Sequence, residues 1–366
     1  MTGTSLDGLD AALVRIAGSG LAMRADPAGL ISLPLGALTQ RLLPLVEGGE
    51  ARPIDFMRCG RQLGQLHATA VAQLCAEHLP REAQLDLVAA HGQTIWHAPP
   101  DPGEPRPAAA DDGLGLSWQL LGPWPMVRHL GVPVVYDLRQ ADLITGGQGA
   151  PITPLADYVL YGDRADMVVN LGGICNVTKL HPKVDGMDVC PCNLLIDQVV
   201  RILYRQVNFD QDGQLAAQGK PDPHLFADLM ADLPRGRSLG RQDVLCGRNV
   251  ETLVLRARRN RRPSDIIASA VAAVAQLVAD TIGRYPAQVA VVAGGGAHNP
   301  VLVKMIRDRC QPTRLLLSDE VGIPIQSREA IAMAVLGALS QDKVVITRSR
   351  DACAQNPPRA GAWVYP

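Results

Sequence analysis

Apolar residues recur at helical spacing in several parts of the chain. Between residues 54 and 78 they include Phe56, Leu63, Leu66, Val71 and Leu74, a pattern that predicts an amphipathic helix. Three further segments predict helices: a stretch that begins at Asn193, the Ala/Val-rich run from Ser264 to about Gly283, and an alanine-rich stretch from Arg328 to about Leu339.

Short apolar runs separate these helices and predict strands. They are Ala11–Ile16, Leu85–Ala90, Val132–Asp137, Met167–Gly173 and Gln288–Ala293. Strands that alternate with helices indicate an α/β fold with a mixed or parallel sheet, whose ligands bind beyond the carboxyl ends of the strands. With 366 residues, 47% of them hydrophobic, the chain is long enough for two domains or for two lobes that share one cleft.

Glycines stand where the strands end. Asn170-Leu171-Gly172-Gly173 closes one strand, and Gly294-Gly295-Gly296 closes another. Asn299-Pro300 then has the pattern of an N-cap followed by a first helical residue. The start of the chain, from Gly3 to Asp10, is a third loop of hydroxyl, carboxylate and glycine residues. Such turns and helix starts direct backbone N–H groups at phosphates, and they predict a nucleotide site that is neither a P-loop nor a dinucleotide fingerprint.

Asp188 is the carboxylate placed where a general base is expected. It follows a predicted β-hairpin and precedes the helix for which Asn193 is the predicted N-cap,. The dipole and free N–H groups of that helix start are expected to face a bound anion. A second glycine-rich run, from Thr145 to Pro151, follows Asp137 and Arg139. It is either a hinge or a place where backbone and ligand approach closely, and the neighbouring charges favour the second interpretation.

Composition excludes several classes of partner. A net charge of -1 and an aromatic content of 4% argue against nucleic acid and anionic membranes as partners. The apolar segment near 266–279 is broken by polar residues, which predicts a buried helix and not a membrane span,. The eight cysteines lack paired spacing apart from Cys190-Pro191-Cys192, which predicts free thiols in the reducing cytosol. His91 and His97 have no third ligand at a usable spacing, so structural roles are favoured over a metal site.

Taken together, these loops resemble the anhydro-N-acetylmuramic acid kinase family of the sugar kinase/Hsp70/actin ATPase superfamily, from Gly3 to about Leu339. The resemblance rests on nine motifs in order: Gly3–Asp10, His91–Thr94, Asp137–Arg139, Gly146–Pro151, Asn170–Ile174 with Asn176, Asp188, Ser238–Arg241, Gly294–Gly296 with Asn299, and Glu329-Ala330. The motifs are individually short, but their number and order are specific.

The resemblance implies an α/β, two-lobed actin-like ATPase (ribonuclease H-like) fold with an interlobe active-site cleft. The first lobe would comprise residues 1–135 and 325–366, and the second residues 136–324. It further implies a cytoplasmic homodimer that uses ATP and Mg²⁺. Such an enzyme opens 1,6-anhydro-N-acetylmuramic acid with water and phosphorylates O6, giving N-acetylmuramic acid 6-phosphate in peptidoglycan recycling.

The resemblance also assigns roles by position. Asp188 would be the catalytic base, and Asp7 a candidate ligand for the magnesium that accompanies ATP. The residues implied for ATP are Gly3, Thr4, Ser5, Leu6, Asp7, Gly8, Leu9, Asp10, Asn170, Gly172, Gly173, Gly294, Gly295, Gly296 and Asn299. Those implied for the amino sugar are His91, Gln93, Thr94, Asp137, Arg139, Gly149 and Glu329.

Two departures from the family pattern affect these expectations. The family's loop Asp-Thr-Gly-Pro-Gly-Asn reads Asp188-Val189-Cys190-Pro191-Cys192-Asn193 here. A cysteine that must adopt positive φ would cost about 1–2 kcal/mol. Family members also have a strand before the first glycine loop, whereas Met1 lies inside that loop, so a sheet neighbour is expected to lack its partner. Two alternatives remain: a kinase of the same superfamily that acts on an ordinary sugar hydroxyl, and a catalytically silent nucleotide-binding protein.

Overall fold

A computed structural model describes residues 1–2, 6, 8–99, 115–204, 206–234, 248–346 and 358–366. It has the predicted α/β architecture and divides into two compact units. Unit 1 comprises Met1–Leu160 and Ser327–Pro366, and unit 2 comprises Tyr161–Gln326. Residues 136–160, which the resemblance assigned to the second lobe, therefore belong to unit 1. The strand Val134–Tyr136, which crosses the expected boundary at residue 135, lies inside a sheet of that unit.

Unit 1 contains three small sheets. Its strands are β1 (Gly8–Ala17), β2 (Arg24–Pro34), β3 (Val88–Ala89), β4 (Gln93–Ala98), β5 (Leu116–Leu120), β6 (Val134–Tyr136) and β12 (Ala362–Val364). β1 and β2 form an antiparallel ribbon, β4 and β5 form another, and the third sheet has the order β12-β6-β3. The strand predicted over 85–90 corresponds to β3, which is only two residues long. Its length is limited to the two positions at which it pairs with β6.

The helices of unit 1 include the long one that the sequence predicts. They are α1 (Ala37–Val46), α2 (Pro53–His78), α3 (Trp124–Leu130), α4 (Gln140–Leu143), α5 (Pro154–Tyr161) and α12 (Arg328–Gln341). α2 buries Leu63, His67, Ala70 and Leu74 on one face, as the helical spacing of its apolar residues requires. A buried ion pair joins Arg328 at the start of α12 to Asp157 of α5.

Unit 2 is built on one five-stranded sheet. Its strands are β7 (Met167–Leu171), β8 (Ile174–Lys179), β9 (Asp185–Pro191), β10 (Val289–Ala293) and β11 (Arg314–Leu317), and their order is β11-β10-β7-β8-β9. β10 is parallel to both of its neighbours, whereas β7, β8 and β9 run antiparallel to one another. The sheet therefore combines a parallel half with an antiparallel meander, and the carboxyl ends of β7 and β10 lie side by side.

Helices cover the sheet of unit 2 and bury its main core. They are α6 (Asn193–Leu203), α7 (Gln214–Ala217), α8 (Pro223–Asp232), α9 (Arg248–Ala257), α10 (Pro263–Gly283) and α11 (Pro300–Arg309). α10 is the one helix of the described residues that is long and apolar enough to cross a membrane by length and composition. Fifteen of its residues are buried inside the protein, so α10 is the buried helix that the sequence predicts.

Candidate active site

Three polar residues of unit 2 lie side by side across neighbouring strands. Asn170 of β7 is opposite Asn176 of β8, and Asn176 is opposite Asp188 of β9. Cross-strand partners project from the same face of a sheet, so these three side chains form one row, the polar row. Asn170 is 1% exposed and Asp188 is 5% exposed. The side-chain oxygen of Asn176 is buried and has no hydrogen-bond partner in the described part of the chain.

A β-bulge separates Asp188 from the apolar core of unit 2. Cys175 pairs with Cys190, whereas the next residue, Asn176, pairs with Asp188, so Val189 is the extra residue. Val189 and Cys190 both belong to the main core cluster, while Asp188 stands on the other face with Asn176. A bulge redirects a side chain in this way. The proposed base therefore points away from the main apolar core.

The start of α6 packs against the turn between β7 and β8. The N–H groups of Asn193 and Leu194 donate to the carbonyls of Gly172 and Gly173 at 3.1 Å. Asn193 is the first helical residue and not the N-cap, which is Cys192. Its side-chain amide instead donates to the Leu171 carbonyl at 3.2 Å. The prediction that this helix start offers free N–H groups to an anion is therefore wrong, because the carbonyls of the turn already accept them.

Other amides around these turns remain available. The N–H groups of Gly172, Gly173, Gly295 and Gly296 donate no hydrogen bond to any residue that the structure describes. Gly296 is buried, so its N–H group is also shielded from water. Unpaired amides at adjacent strand ends are the donors that bind phosphate oxygens. This donor set fits the triphosphate of a nucleotide.

The second glycine turn requires glycine for close packing. Gly294 has φ +83°, and a Cβ there would lie 2.5 Å from the side-chain oxygen of Asn170. A Cβ on Gly296 would lie 2.8 Å from the Leu171 side chain and 2.9 Å from the side-chain oxygen of Asn193. Asn299 is the N-cap of α11 and accepts from the Leu302 N–H at 3.0 Å, which confirms its predicted capping role. The carboxyl ends of β7 and β10 are therefore in direct contact.

Neither cysteine of the loop from Asp188 to Asn193 adopts positive φ. Cys190 is an ordinary strand residue of β9, and Cys192 has φ -119°. The conformational cost that positive φ would impose is therefore absent at both positions. Burial raises the pKa of Cys192 to about 12, which keeps this thiol protonated at neutral pH.

In unit 1, Arg139 connects two of the predicted sugar-binding residues. Its Nε donates to Nε2 of His91 at 3.2 Å, and its guanidinium also donates to the Gly149 carbonyl at 2.7 Å. Burial, followed by the charge of Arg139, holds the pKa of His91 well below its usual value. The ring is therefore neutral, and its proton lies on Nδ1 because Nε2 accepts.

Asp142 holds the glycine-rich turn that ends at Gly149. Its carboxylate accepts from the Gly149 N–H at 2.8 Å, and its backbone carbonyl accepts from the Gly147 N–H at 2.8 Å. Asp142 was not among the residues singled out from the sequence. Its place four residues before a glycine pair is the only signal that could have indicated it.

Asp137 is the second charged group of this region. It has φ +55°, which is uncommon for a residue with a side chain. One carboxylate oxygen is buried without a hydrogen-bond partner among the described residues. Burial raises the pKa of Asp137, and the charge of Arg139 opposes that rise. A strained, incompletely bonded carboxylate is typical of a functional position.

The other predicted sugar-binding residues lie on separate elements of unit 1. Gln93 begins β4 and is 1% exposed, with a side-chain oxygen that lacks a partner in the described chain. Thr94 follows it and accepts from the side-chain amide of Gln119 at 3.5 Å. Glu329 lies in the first turn of α12 and is close enough to raise the pKa of the Met1 amino group.

The structure describes only part of the first glycine loop. Gly3, Thr4, Ser5 and Asp7 lie outside the described residues, as does the Ser238–Arg241 motif. Leu6 is buried at φ +60°, and Gly8 begins β1. Leu9 is fully buried in the core of unit 1, and the Asp10 carboxylate accepts from the Ser32 hydroxyl at 2.5 Å. Nucleotide contacts by this loop stay a prediction.

A resident metal centre is not apparent in this part of the chain. Among the described residues, no group of three or more His, Cys, Asp or Glu side chains could hold a metal ion. The six described cysteines are free thiols.

Comparison with known proteins places the chain first among kinases and then in one family. A model of the anhydro-N-acetylmuramic acid kinase family matches residues 1–365, and the chain belongs to this enzyme family. It is 35% identical to the anhydro-N-acetylmuramic acid kinase of Prochlorococcus marinus (strain MIT 9313) over 92% of this chain and 90% of that one. The corresponding kinase of Salinibacter ruber is also 35% identical, over 92% and 87% of the two chains.

Among solved structures, a ROK family glucokinase from Streptomyces griseus in complex with glucose and AMPPNP is similar to 89% of this chain. The match covers 99% of that protein, at 14% identity and a TM-score of 0.38. A likeness of this degree defines no ligand for the present chain.

Proposed function

We propose that this protein is an ATP-dependent kinase that opens 1,6-anhydro-N-acetylmuramic acid with water and phosphorylates O6. The product would be N-acetylmuramic acid 6-phosphate, as expected for peptidoglycan recycling. Family membership supports the reaction class. The observation that carries the chemistry is Asp188, a buried carboxylate in the polar row, on the sheet face opposite the main core.

Asp188 is proposed to accept the proton of the attacking water. The water oxygen forms a bond to the anomeric carbon, and the bond from that carbon to O6 breaks. O6 then takes the γ-phosphoryl group from ATP, and ADP leaves. A positioned base contributes roughly a hundred- to ten-thousand-fold to such a step. The unpartnered oxygen of Asn176, beside Asp188, is suited to accept the second hydrogen of the same water.

The amides of Gly172, Gly173, Gly295 and Gly296 are proposed to bind the phosphates of ATP. They donate to no residue in the described ranges, so an anion can use them without breaking existing bonds. Preorganised donors of this kind stabilise charge that develops during phosphoryl transfer. Mg²⁺ bound with ATP would neutralise phosphate charge, with Asp7, outside the described residues, as the implied protein ligand.

The residues of unit 1 that centre on Arg139 are proposed to bind the amino sugar. Arg139 is a fixed cation that suits the carboxylate of a muramic acid. The neutral ring of His91 can orient this guanidinium without competing for its charge. Asp137, with an unpartnered oxygen, is suited to accept from a sugar hydroxyl. Gln93, Thr94, Gly149 and Glu329 complete the proposed set.

Two further properties are proposed from the family resemblance. The protein is expected in the cytoplasm, and the free thiols of the described cysteines are compatible with a reducing compartment. It is also expected to form a homodimer, which sedimentation at several protein concentrations would test.

Solvent-oxygen labelling tests the reaction directly. The protein is given ATP, Mg²⁺ and 1,6-anhydro-N-acetylmuramic acid in ¹⁸O-labelled water, and the phosphorylated product is analysed by mass spectrometry. We expect one solvent oxygen in each product molecule, at the anomeric position. Because free anomeric hydroxyls exchange with water, unlabelled product incubated in labelled water for the same time is the control.

The outcomes separate the candidate functions. Product without label above the exchange control would indicate a kinase that acts on an ordinary hydroxyl. ATP binding without product from the anhydro sugar would indicate a silent nucleotide-binding protein.

A further inference from the structure

Gln119 is a buried glutamine of β5 whose side-chain oxygen is not used by the described part of the chain. The residue is 5% exposed, and its Oε1 has no hydrogen-bond partner among the described residues. A buried acceptor without a donor costs free energy, so such an atom in a folded protein needs a physical reason. A ligand that supplies the missing donor is one such reason.

The other end of this side chain is held by hydroxyl groups. Nε2 of Gln119 donates to the Ser117 hydroxyl oxygen at 2.8 Å and to the Thr94 hydroxyl oxygen at 3.5 Å. The Ser117 hydroxyl in turn donates to the Trp96 carbonyl at 3.2 Å. Because a carbonyl can only accept, the single proton of the Ser117 hydroxyl is used there. Ser117 must therefore accept from Gln119, which fixes Nε2 on this side of the amide and Oε1 on the other.

Gln119 lies beside residues that are proposed above to bind the amino sugar. It is the cross-strand partner of Thr94 in β4, so the two side chains share one face of the ribbon. Gln140, the residue after Arg139, donates from its side-chain amide to the Ser117 carbonyl. A hydrogen bond therefore joins β5 to the start of α4, one residue along the chain from the guanidinium that is proposed to bind the sugar carboxylate.

A second buried glutamine, Gln93, is held less firmly. It is 1% exposed, and its Oε1 also lacks a partner in the described ranges. Its Nε2 donates to the Thr94 carbonyl at 3.5 Å, a distance at which a hydrogen bond is weak. The Gln93 amide can therefore turn either its oxygen or its nitrogen towards a ligand. Of the two glutamines, Gln119 is the one with a fixed acceptor.

The proposed substrate has few donors that could reach this acceptor. In 1,6-anhydro-N-acetylmuramic acid one oxygen bridges the first and sixth carbons, and the oxygen on the third carbon carries the lactyl ether. The remaining donors are the hydroxyl on the fourth carbon and the N–H of the acetamido group. Asp137, whose unpartnered oxygen is buried, is proposed above to accept from the hydroxyl. The N–H is then the donor left for Gln119.

We infer that Gln119 is a further sugar-binding residue, whose Oε1 accepts a hydrogen bond from the acetamido N–H of the amino sugar. Ser117 is a positioning residue, because it holds the Gln119 amide in the orientation that leaves this oxygen for the ligand. The contact would reject a sugar that has an acceptor in place of the N–H, since two facing acceptors both lack a donor. This role rests on the proposed function and adds to it a selectivity for the acetamido group.

An ester analogue of the substrate tests the contact. In this analogue an acetoxy group replaces the acetamido group, so an oxygen takes the place of the N–H and the rest of the sugar is unchanged. The rate of ADP release gives kcat/KM for both sugars with the unsubstituted protein, Gln119→Met, Ser117→Ala and the matched control Gln93→Met. The amide-to-ester ratio of kcat/KM is compared, because a general loss of activity or stability cancels in this ratio.

We expect the unsubstituted protein to prefer the amide roughly ten- to a hundredfold. In Gln119→Met the two sugars should react within about threefold of each other, because methionine has a similar length but no amide oxygen. Ser117→Ala should also lower the ratio at least about threefold, since the released amide can turn its N–H towards the ester. Gln93→Met should keep the ratio of the unsubstituted protein.

An unsubstituted protein that treats the two sugars alike would overturn the inference. An equal preference for the amide in the unsubstituted protein and in Gln119→Met would also overturn it. Loss of the preference in Gln93→Met alone would assign the contact to the other glutamine and exclude Gln119. Failure of the unsubstituted protein to turn over the amide sugar is a different result, because it would refute the proposed reaction and this role together.

Discussion

Asn176 lies directly opposite Asp188, and the bulge at Val189 separates this polar pair from the thiols of Cys175 and Cys190. Without the extra residue, the alternation of the strand would place Asp188 and Cys190 on the same face. With it, Cys190 and Val189 enter the apolar core while Asp188 stays beside Asn176. One inserted residue thus places the carboxylate next to a buried amide oxygen that has no partner in the described chain.

Substitution of Asp188 tests the proposed base. In Asp188→Asn the side chain keeps its size but can no longer accept a proton, so we expect turnover to fall roughly 10²- to 10⁴-fold. Nucleotide affinity should change little, because the proposed phosphate donors are backbone amides. Steady-state kinetics and calorimetric titration with ATP measure the two quantities.

Asp185→Asn, at the beginning of the same strand, is the matched control. It removes an equal charge from β9 and should keep most of the activity. Equal losses of activity in the two variants would contradict the proposed role of Asp188 as a base. They would show instead that activity depends on the negative charge of this strand in general.

Several helices, α2 and α10 among them, were predictable from the sequence because their signals are local. The spacing of apolar residues predicted α2 and α10 to within a residue or two. Asn299-Pro300 predicted the cap of α11. Such features depend on residues within one turn of each other, so a single sequence contains the information.

The surroundings of the candidate base were not predictable in the same way. The bulge at Val189 depends on the register between β8 and β9, which no local pattern specifies. Asn193 has the composition of an N-cap, but its amide bonds to the Leu171 carbonyl on another element. The place of β6 in a sheet of unit 1 likewise depends on its pairing with β3 and β12. Contacts between distant segments decided each of these features.

The glycine turn beside Arg139 provides a second prediction. A methyl group in Gly147→Ala would lie 2.2 Å from the Asp142 carboxylate, which would displace the acceptor of the Gly149 N–H. The bond from Arg139 to the Gly149 carbonyl should weaken as a result. Since hydrogen bonds to charged groups contribute about 1.5–3 kcal/mol, we expect KM for the anhydro sugar to rise roughly ten- to a hundredfold.

KM for ATP should stay within about twofold in this variant, because the proposed phosphate donors are on other elements. Gly283→Ala is the control, since its methyl group would meet nothing within 4 Å. If KM for the sugar and KM for ATP rose equally in Gly147→Ala, the glycine turn would not act in sugar binding alone.

The buried pair of Arg328 and Asp157 provides a prediction about stability. Both side chains are almost completely buried, and Thr153 supplies a further acceptor for Arg328 at 3.2 Å. Each single substitution takes a buried charge away from its ion-pair partner, so Asp157→Leu and Arg328→Met should each lower the free energy of unfolding by about 3–5 kcal/mol. Urea denaturation measures this change.

The double variant should be less destabilised than the sum of the two single variants, because it removes both charges of the pair together. The exposed pair Arg15–Asp26, at 3.4 Å, is the control. Loss of one of its charges should change stability by at most about 1 kcal/mol. Additive effects at Arg328 and Asp157 would show that the two charges do not act as a pair.

His67 makes stability depend on pH. It is buried in α2, where its Nδ1 donates to the Leu63 carbonyl at 2.8 Å, and burial lowers its pKa from 6.5 to about 3. Between these values the unfolded chain binds a proton that the folded protein does not. Stability should therefore fall as pH decreases from 6.5 towards 3, by up to about 1.4 kcal/mol per pH unit from this residue.

His67→Leu should remove this contribution, so its unfolding free energy should depend on pH less steeply than that of the unsubstituted protein. Urea denaturation between pH 7 and pH 4.5 measures both slopes. Leu63→Ala is the matched control, because a cavity in the same helix should lower stability by about 2–5 kcal/mol at every pH and leave the slope unchanged. Equal slopes for His67→Leu and the unsubstituted protein would mean that the folded protein protonates His67 in this range, which its burial should prevent.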